Sequence, residues 1–312
     1  MTSLVRSSAV VLLALLTGCS GTPQATSEAI PGDGGVPGFY TWAGDLPSRP
    51  GELLRSEPLT PQQGLKNAAL NIRILYTSTD GRSSGPIAVS GALFIPEGTP
   101  PKGGWPLMAW AHGTVGSADI CAPSFAGRSG RDTRYLNEWL GRGYAIVATD
   151  YEGLGTPGLH PFGLINPSFV ATGYLSDRAK PAFEVSQRGC LQAIERKVVA
   201  DGLTFNNSFK RSPEAALDQV NRESSYPTLT SDIPIFIGTG GKDVVSPVRS
   251  QIALVKDACT AGDRVEWHYY PQLDHSGAVN GSLPDSTLFV EKAFSGEFMA
   301  GSCGAIGAMR PR

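Results

Sequence analysis

The stretch LMAWAHGTVGSADICAPS at Leu107–Ser124 decides the fold that we predict for this chain. It opens with five apolar residues, Leu107–Ala111, which are typical of a short buried strand, and then turns at His112-Gly113-Thr114. A buried strand that ends in a Gly-rich turn is where α/β enzymes place backbone N–H groups for an oxyanion. The alternative is that His112-Gly113 only ends a strand, because glycine forms a sharp turn at the least steric cost.

Composition limits the classes of protein to which the chain can belong. Its 312 residues, of which 41% are hydrophobic, suffice for one large domain with a buried core. The formal net charge of −2 gives no reason to expect nucleic acid as a partner. Glycine and proline number 38 and 24, well above average usage, which predicts a protein rich in loops.

The first residues have the features of an export signal. Arg6 precedes an apolar run at 9–16 that is too short to span a bilayer, and Leu-Thr-Gly-Cys at 16–19 resembles a bacterial lipobox. We therefore predict a signal peptide over residues 1–18 and lipidation of Cys19, which would anchor an extracytoplasmic protein to the cell membrane. The alternative is an ordinary secretory signal and a secreted protein. Residues 19–37 are rich in Gly, Pro, Ser and Thr and are predicted to form a flexible tether.

The remaining cysteines are four in number: Cys121, Cys190, Cys259 and Cys303. An even number in an exported chain predicts two disulfides, and three pairings are open. No CxxC or His-x-Cys cluster is present, and the four histidines are scattered along the sequence. We therefore predict neither a metal site nor a cofactor.

Six strands are predicted from apolar runs and from apolar–polar alternation: Leu70–Thr77, Ile87–Ile95, Leu107–Ala111, Tyr144–Thr149, Pro234–Thr239 and Val265–Tyr270. The first two could form an antiparallel pair across the turn at Asp80-Gly81. The third and fourth flank a predicted helix at Asp132–Gly141, so they form a βαβ unit. The Gly-rich loop Asp150–Gly155 follows at the carboxyl end of a strand, where open α/β sheets bind ligands.

Helices are predicted on both sides of the last two strands. Residues 167–226 contain no strand-like run, and helices at Ala182–Ala200 and Ala215–Val220 predict a helical cap over the sheet, at about 164–226. Ser246-Pro247 is predicted to cap a later helix, and Asp285–Phe294 is the final one. The α/β domain is expected to span residues 38–303, followed by a tail at 304–312.

Two residues have the order of an acid and a base in α/β hydrolases. Asp243 lies just past one strand, and His275 lies in the loop after the next strand. The chemistry requires a His that reaches a nucleophile with one ring nitrogen while a carboxylate holds the other nitrogen. Each residue alone could be an ordinary loop residue, but together they favour a catalytic pair. Asp274, adjacent to His275, is a weaker candidate for the acid.

The chain resembles the secretory lipases of fungi and actinobacteria, which are α/β hydrolases with a helical cap. The matching segments are FYTWAGDLPSRPGELLRSEPL at 39–59, AHGTVGSADICAPS at 111–124, GYAIVATDYEGLGTPG at 143–158, GTGGKDVVSP at 238–247, DHSGAV at 274–279 and the cap segment that ends at Cys190. The resemblance implies a mostly parallel central sheet and an ester hydrolase with a Ser-Asp-His triad. It implies Asp243 as the acid, His275 as the base, and an oxyanion donor at Gly113-Thr114. It also implies the pairs Cys121–Cys190 and Cys259–Cys303.

The nucleophile of that triad is not identified. In the family, a G-x-S-x-G elbow lies between the strand Tyr144–Thr149 and the cap, and we expect no G-x-S-x-G anywhere in this chain. At about 30 residues for each strand–helix–strand unit, roughly 60 residues or more are missing near 161–167. The strand at Leu107–Ala111 must then either pair with Pro234–Thr239 or leave an open edge. Ser117, Ser246 and Ser276 are weak substitutes, because none lies on a strand–helix elbow.

Three hypotheses follow from the sequence. The first is a lipase-like hydrolase of fatty-acyl esters, acting in lipid catabolism, which is impaired in this chain by the lack of a serine elbow. The second is a non-catalytic lipid-binding envelope lipoprotein, and the third is a truncated product without a stable fold. A fatty-acyl ester or lipid is the expected ligand, and the sequence predicts no oligomeric state.

Overall fold

A computed structural model describes residues 32–81, 83–157, 170–223 and 230–306. Several predictions lie outside these residues: the signal peptide, the lipidation of Cys19, most of the tether, the site of the deletion near 161–167, the start of the cap and most of the tail. Within the described ranges, no helix combines the length and the apolar composition that a membrane span needs. The end of the predicted tether is attached to the domain, since the backbone N–H of Gly34 donates to the Asp119 carboxylate at 2.7 Å.

A five-stranded sheet forms the larger part of the domain. Its strands, in chain order, are β1 Leu53–Pro58, β2 Ala68–Thr79, β3 Pro86–Pro96, β4 Leu107–Ala111 and β5 Ala145–Thr149. They lie side by side in the order β1-β2-β3-β5-β4. A separate pair of parallel strands, β6 Ile235–Gly240 and β7 Val265–Tyr270, completes the described sheet structure. The sequence predicts six of these strands and misses β1.

The α/β-hydrolase-like class is confirmed, and the central sheet is mixed. The pairs β1–β2, β2–β3 and β3–β5 are antiparallel, while β4–β5 is parallel. The difference from the mostly parallel sheet implied above has a physical reason: a tight turn joins only antiparallel neighbours, whereas a parallel pair needs a crossover. A turn at 80–85 joins β2 to β3, and a helix crosses from β4 to β5.

The described helices fall into three groups. Between β4 and β5 lie α1 Pro123–Ala126 and α2 Gly130–Gly141. The cap contributes α3 Lys180–Ser186, α4 Leu191–Ala200, α5 Phe205–Ser208 and α6 Glu214–Glu223. After β6 come α7 Val248–Ala261, α8 His275–Gly281, α9 Leu283–Ser295 and α10 Cys303–Ile306. The helix predicted over Ala182–Ala200 is thus two helices, interrupted around Gly189, where a Cβ would lie 3.0 Å from the Val185 carbonyl oxygen.

Four clusters of buried apolar residues stabilise the described part of the chain, and two of them pack helices against the strands. The larger core packs α2 against β3 and β5, and its most buried side chains include Phe94, Leu136, Trp139 and Ile146. The smaller core packs α7 against β6 and β7 through residues that include Val255, Val265 and Trp267. Because α9 contributes Leu283 to the larger core, it links the β6–β7 unit to the main sheet.

The strand β4 has an open edge. It pairs with β5, and β6 pairs with β7, so in the described part of the chain the predicted pairing of β4 with Pro234–Thr239 does not occur. The face formed by Leu107, Ala109 and Ala111 is exposed, and Leu107 is 61% accessible to solvent. An edge of this kind presents unpaired backbone groups beside apolar side chains, which favours association with other chains.

We therefore predict that the protein self-associates as its concentration rises and that Ala109→Lys weakens this association. A charge at the centre of β4 opposes strand addition, because a second strand would have to desolvate it. Sedimentation velocity over a range of concentrations measures the effect. Val199→Lys, at a cap residue that is 79% exposed, is the matched control. Equal association of both variants and the parent protein would show that the edge of β4 is not the contact.

Candidate functional site

Hydrogen bonds between two loops bring Asp243 and His275 together. In the loop after β6, the N–H of Gly241 donates to the Tyr270 carbonyl at 2.8 Å, and the N–H of Lys242 donates to the Leu273 carbonyl at 2.9 Å. Glycine permits this approach, because a Cβ at Gly241 would lie 2.6 Å from the Cα of Pro271. The GTGGKD segment therefore sets the distance between the two parallel-strand loops, a role that the sequence analysis did not assign to it.

The carboxylate of Asp243 is buried, and each of its two oxygens has two hydrogen-bond partners. One oxygen, Oδ1, accepts the backbone N–H groups of Val245 and Ser246, at 2.9 and 2.8 Å. The other, Oδ2, accepts from Gln251 Nε2 at 3.1 Å and lies 3.0 Å from His275 Nδ1. Burial by itself would raise the pKa of Asp243, but the bonds from Ser246, His275 and Val245 outweigh it and lower the pKa below its ordinary value.

The imidazole of His275 is oriented by Asp243 and not by Asp274. The side chain of Asp274 accepts the backbone N–H of Gly277 at 2.7 Å and is the N-cap of α8, which begins at His275. At the other end of α8, Asn280 Nδ2 donates to the Arg131 carbonyl at 3.0 Å, which attaches this helix to α2. The ring of His275 is therefore held at Nδ1, and its side chain is 41% exposed, facing a cleft.

That cleft, which we call the His275 pocket, has a volume of about 380 Å³. It contains the two predicted oxyanion residues, which lie more than 150 residues away from His275 in the sequence. Its lining is Gly113, Thr114, Arg131, Leu191, Glu195, Lys242, Val244, Val245, Asp274, His275 and Ser276. The sequence analysis missed Arg131, Glu195 and Lys242, because charged residues on helices and loops carry no signal that they face a pocket.

The aromatic pair His112 and Tyr151 holds the loop at Gly113-Thr114 in position. His112 is buried, and its ring stacks on that of Tyr151 with 4.1 Å between the centroids. The Tyr151 hydroxyl also donates to the His112 carbonyl. The predicted ligand loop Asp150–Gly155 therefore supports the oxyanion candidates and is not part of the described pocket lining. Asp150 itself is buried, where it accepts the Ser90 hydroxyl at 2.6 Å.

No described serine has the position of a nucleophile against His275. The Ser117 hydroxyl donates to the Ser186 carbonyl at 3.2 Å, and neither Ser117 nor Ser246 lines the pocket. Ser246 is not the N-cap of α7 either, since Pro247 occupies that position. Ser276 does line the pocket, but it follows His275 on the same helix, and successive side chains on a helix point in different directions.

The expectation that the chain has no G-x-S-x-G is wrong, because this spacing occurs once, at Gly81-Arg82-Ser83-Ser84-Gly85. It lies in the turn that joins the antiparallel strands β2 and β3, not in a strand–helix elbow. Ser83 donates its backbone N–H to Asp80 at 2.9 Å, and its hydroxyl accepts the N–H of Gly85 at 3.2 Å. The motif is therefore a polar turn, and it does not supply a serine to the pocket.

Both disulfides implied by the resemblance are present. Cys121 is bonded to Cys190, and Cys259 to Cys303. The first disulfide attaches the cap to the loop after β4, and beside it the N–H of Leu191 donates to the Val115 carbonyl at 2.7 Å. Because Leu191 begins α4, this junction fixes the helix that contributes Leu191 and Glu195 to the pocket.

A larger cleft of about 860 Å³ lies between residues 59–71 and α2, apart from His275. Its amide side chains serve the fold. Asn67 Nδ2 donates to the Asn137 carbonyl at 2.9 Å, and Asn71 Oδ1 accepts the N–H of Leu65 at 2.7 Å. Size alone therefore does not make this cleft the functional site, and the His275 pocket is the one lined by a member of the hydrogen-bonded Asp243–His275 pair.

Comparison with solved structures identifies the fold. The chain matches the X-ray structure of Candida antarctica lipase A with a TM-score of 0.62 and 18% identity, over 86% of this chain and 88% of that one. The closed state of the same lipase gives a TM-score of 0.61 and 18% identity, over 83% and 85%. A rice cell wall degrading esterase, LipA from Xanthomonas oryzae, gives 0.29 and 22% identity, over 49% and 39%.

No family model and no curated protein matches the chain. The similarity to Candida antarctica lipase A shows that this chain shares the overall fold of that protein, which agrees with the fold class expected from the sequence.

Gly241→Ala should lower the free energy of unfolding by about 1–3 kcal/mol, the usual cost of forcing extra atoms into a packed position. The new Cβ would meet the backbone of Pro271, which has no rotamer by which to move away. Urea unfolding measures the change. Gly130→Ala is the control, since a Cβ there has nothing within 4 Å. Equal stability of the two variants would contradict the role given to Gly241.

The lowered pKa of Asp243 predicts a loss of stability in acid. Since the folded-state pKa lies below the ordinary value of 3.8, the carboxylate stabilises the fold above that pH. The contribution is lost as the pH falls through the folded-state pKa. Urea unfolding at pH 6 and at pH 3 should therefore show a smaller difference in Asp243→Asn than in the parent protein. Asp45→Asn, at an exposed residue, should retain the parent difference.

Proposed function

We propose that the protein is a lipase-type hydrolase of carboxylic esters, built on Asp243 and His275, whose catalysis is impaired by the lack of a serine elbow. The observation that carries the proposal is the 3.0 Å contact between His275 Nδ1 and Asp243 Oδ2. A carboxylate on one ring nitrogen orients the imidazole and stabilises its protonated form, which is the task of the acid in a Ser-His-Asp triad.

The pocket supports an ester as the substrate. Its Gly113-Thr114 loop would supply N–H donors to the negative oxygen that forms when an ester carbonyl is attacked. Leu191, Val244 and Val245 give it an apolar wall for part of an acyl chain. A volume of about 380 Å³ is near the lower end for small-molecule sites, so we expect short acyl esters to fit better than long ones.

The hydroxyl groups that line the His275 pocket are the reason for proposing impaired catalysis. Thr114 and Ser276 are the hydroxyl residues in its described lining, and neither lies on a strand–helix elbow. In serine hydrolases that lose a triad member, binding and the oxyanion hole still accelerate the reaction by about 10³–10⁴ over water. We expect activity at least on this order, with His275 contributing further as a general base.

The cellular location is part of the proposal. We propose an extracytoplasmic lipoprotein, anchored through Cys19, with residues 1–18 as its signal peptide and 19–37 as its tether. The two disulfides support export, because such bonds persist mainly in oxidising compartments. The proposed α/β domain spans 38–303 with its cap at about 164–226, followed by the tail 304–312.

Hydrolysis of p-nitrophenyl butyrate tests the activity. We expect a slow rate that His275→Ala lowers by about 10²-fold or more, the usual contribution of a general base. Asp243→Asn should lower it too. His268→Ala is the matched control, because His268 lies on β7 beside Glu266 at 3.0 Å, outside the pocket lining. Thermal unfolding of each variant shows whether it is folded.

Equal rates for the parent protein and folded His275→Ala would contradict the proposal. If a fatty acid then bound to the pocket without turnover, the chain would be a non-catalytic lipid-binding protein. A chain without a cooperative unfolding transition would instead be a truncated product.

A further inference from the structure

We infer that His275 activates water directly, so that this chain hydrolyses esters in one step without an acyl-enzyme. This inference rests on the proposed function and specifies its mechanism. It replaces the serine of the triad by a solvent molecule that attacks from the His275 pocket.

The first support is the state of the imidazole. With the Nδ1 proton donated to Asp243, the ring has its lone pair at Nε2, the nitrogen that can accept a proton. The side chain of His275 is 41% exposed, although Asp243 beneath it is buried. A general base needs a proton donor within hydrogen-bond reach, directly or through one water, and solvent has access to this ring.

The second support is the composition of the pocket. Alongside His275 it contains the cations Arg131 and Lys242 and the anions Glu195 and Asp274. Charged side chains of both signs keep a cleft hydrated, and a water needs two to four polar partners to be held. At about 380 Å³, the pocket has room for a short ester together with water, whose share of liquid volume is about 30 Å³.

The third support is that the other candidate nucleophiles have hydrogen bonds or positions that keep them away from His275 Nε2. Ser117 donates to Ser186, the Ser83 hydroxyl is in a β-hairpin turn, and Ser276 is the helical neighbour of His275. Thr114 is on the loop that would stabilise the oxyanion. In the described residues, water is thus the nucleophile that can reach both His275 and a carbonyl bound at Gly113-Thr114.

In the proposed step, water attacks the ester in place of a serine. The water oxygen bonds to the ester carbonyl carbon, its proton passes to His275 Nε2, and the carbonyl electron pair moves onto oxygen. The tetrahedral intermediate then re-forms the carbonyl and breaks the bond to the leaving oxygen. His275 returns the proton to the leaving group, so that an acid and an alcohol are released and the enzyme is unchanged.

Two esters with one acyl group and different leaving groups test this mechanism. With p-nitrophenyl butyrate and phenyl butyrate, a shared acyl-enzyme whose deacylation is slow gives equal kcat values and a burst of the first product. Direct attack by water gives no burst and a higher kcat for the better leaving group. Intact mass measured after a fluorophosphonate probe should be unchanged.

The outcomes separate this inference from the proposed function. His275-dependent hydrolysis with no burst, unequal kcat values and no adduct supports both. A fluorophosphonate or butyryl adduct that is lost in His275→Ala would overturn the water mechanism and leave an ester hydrolase with a covalent nucleophile. Hydrolysis that does not depend on His275 would overturn both.

Discussion

The backbone hydrogen bonds between the loops after β6 and β7 are the contact on which the candidate site depends. They join Gly241 to Tyr270 and Lys242 to Leu273, and they place the His275 ring against Asp243. The Asp243 carboxylate also accepts hydrogen bonds from Val245, Ser246 and Gln251. A pair of neighbouring parallel strands thus brings Asp243 and His275 into contact, because the carboxyl ends of parallel strands meet at one edge.

The rest of the pocket comes from parts of the chain that are distant in sequence. The loop after β4 contributes Gly113 and Thr114, α2 contributes Arg131, and the cap contributes Leu191 and Glu195. The Asn280–Arg131 bond holds α8 to α2, and the Cys121–Cys190 disulfide holds the cap to the loop after β4. The candidate site therefore lies where these segments meet, although β4 and β6 belong to separate sheets.

Under the proposed function, Asp243, His275 and the loop at Gly113-Thr114 would orient and polarise the reactants without a serine elbow. General-base catalysis and electrostatic stabilisation do not require a covalent intermediate, so such a site can still act on water. What is lost is the division of one difficult step into two easier ones.

The sequence by itself determined six of the seven described strands and the order in which Asp243 and His275 follow two of them. Six of the seven described strands follow from apolar runs, because burial imposes a local pattern on residues. Asp243 and His275 follow from their order after two strands. The strand β1, the break in the cap near Gly189 and the charged lining of the pocket were decided only by tertiary structure. The reason is that each depends on contacts with another segment of the chain. The strand β1 is defined by its pairing with β2, and the Cys121–Cys190 disulfide fixes the helix that carries Glu195. Arg131 is held beside the pocket by its hydrogen bond with Asn280 of α8.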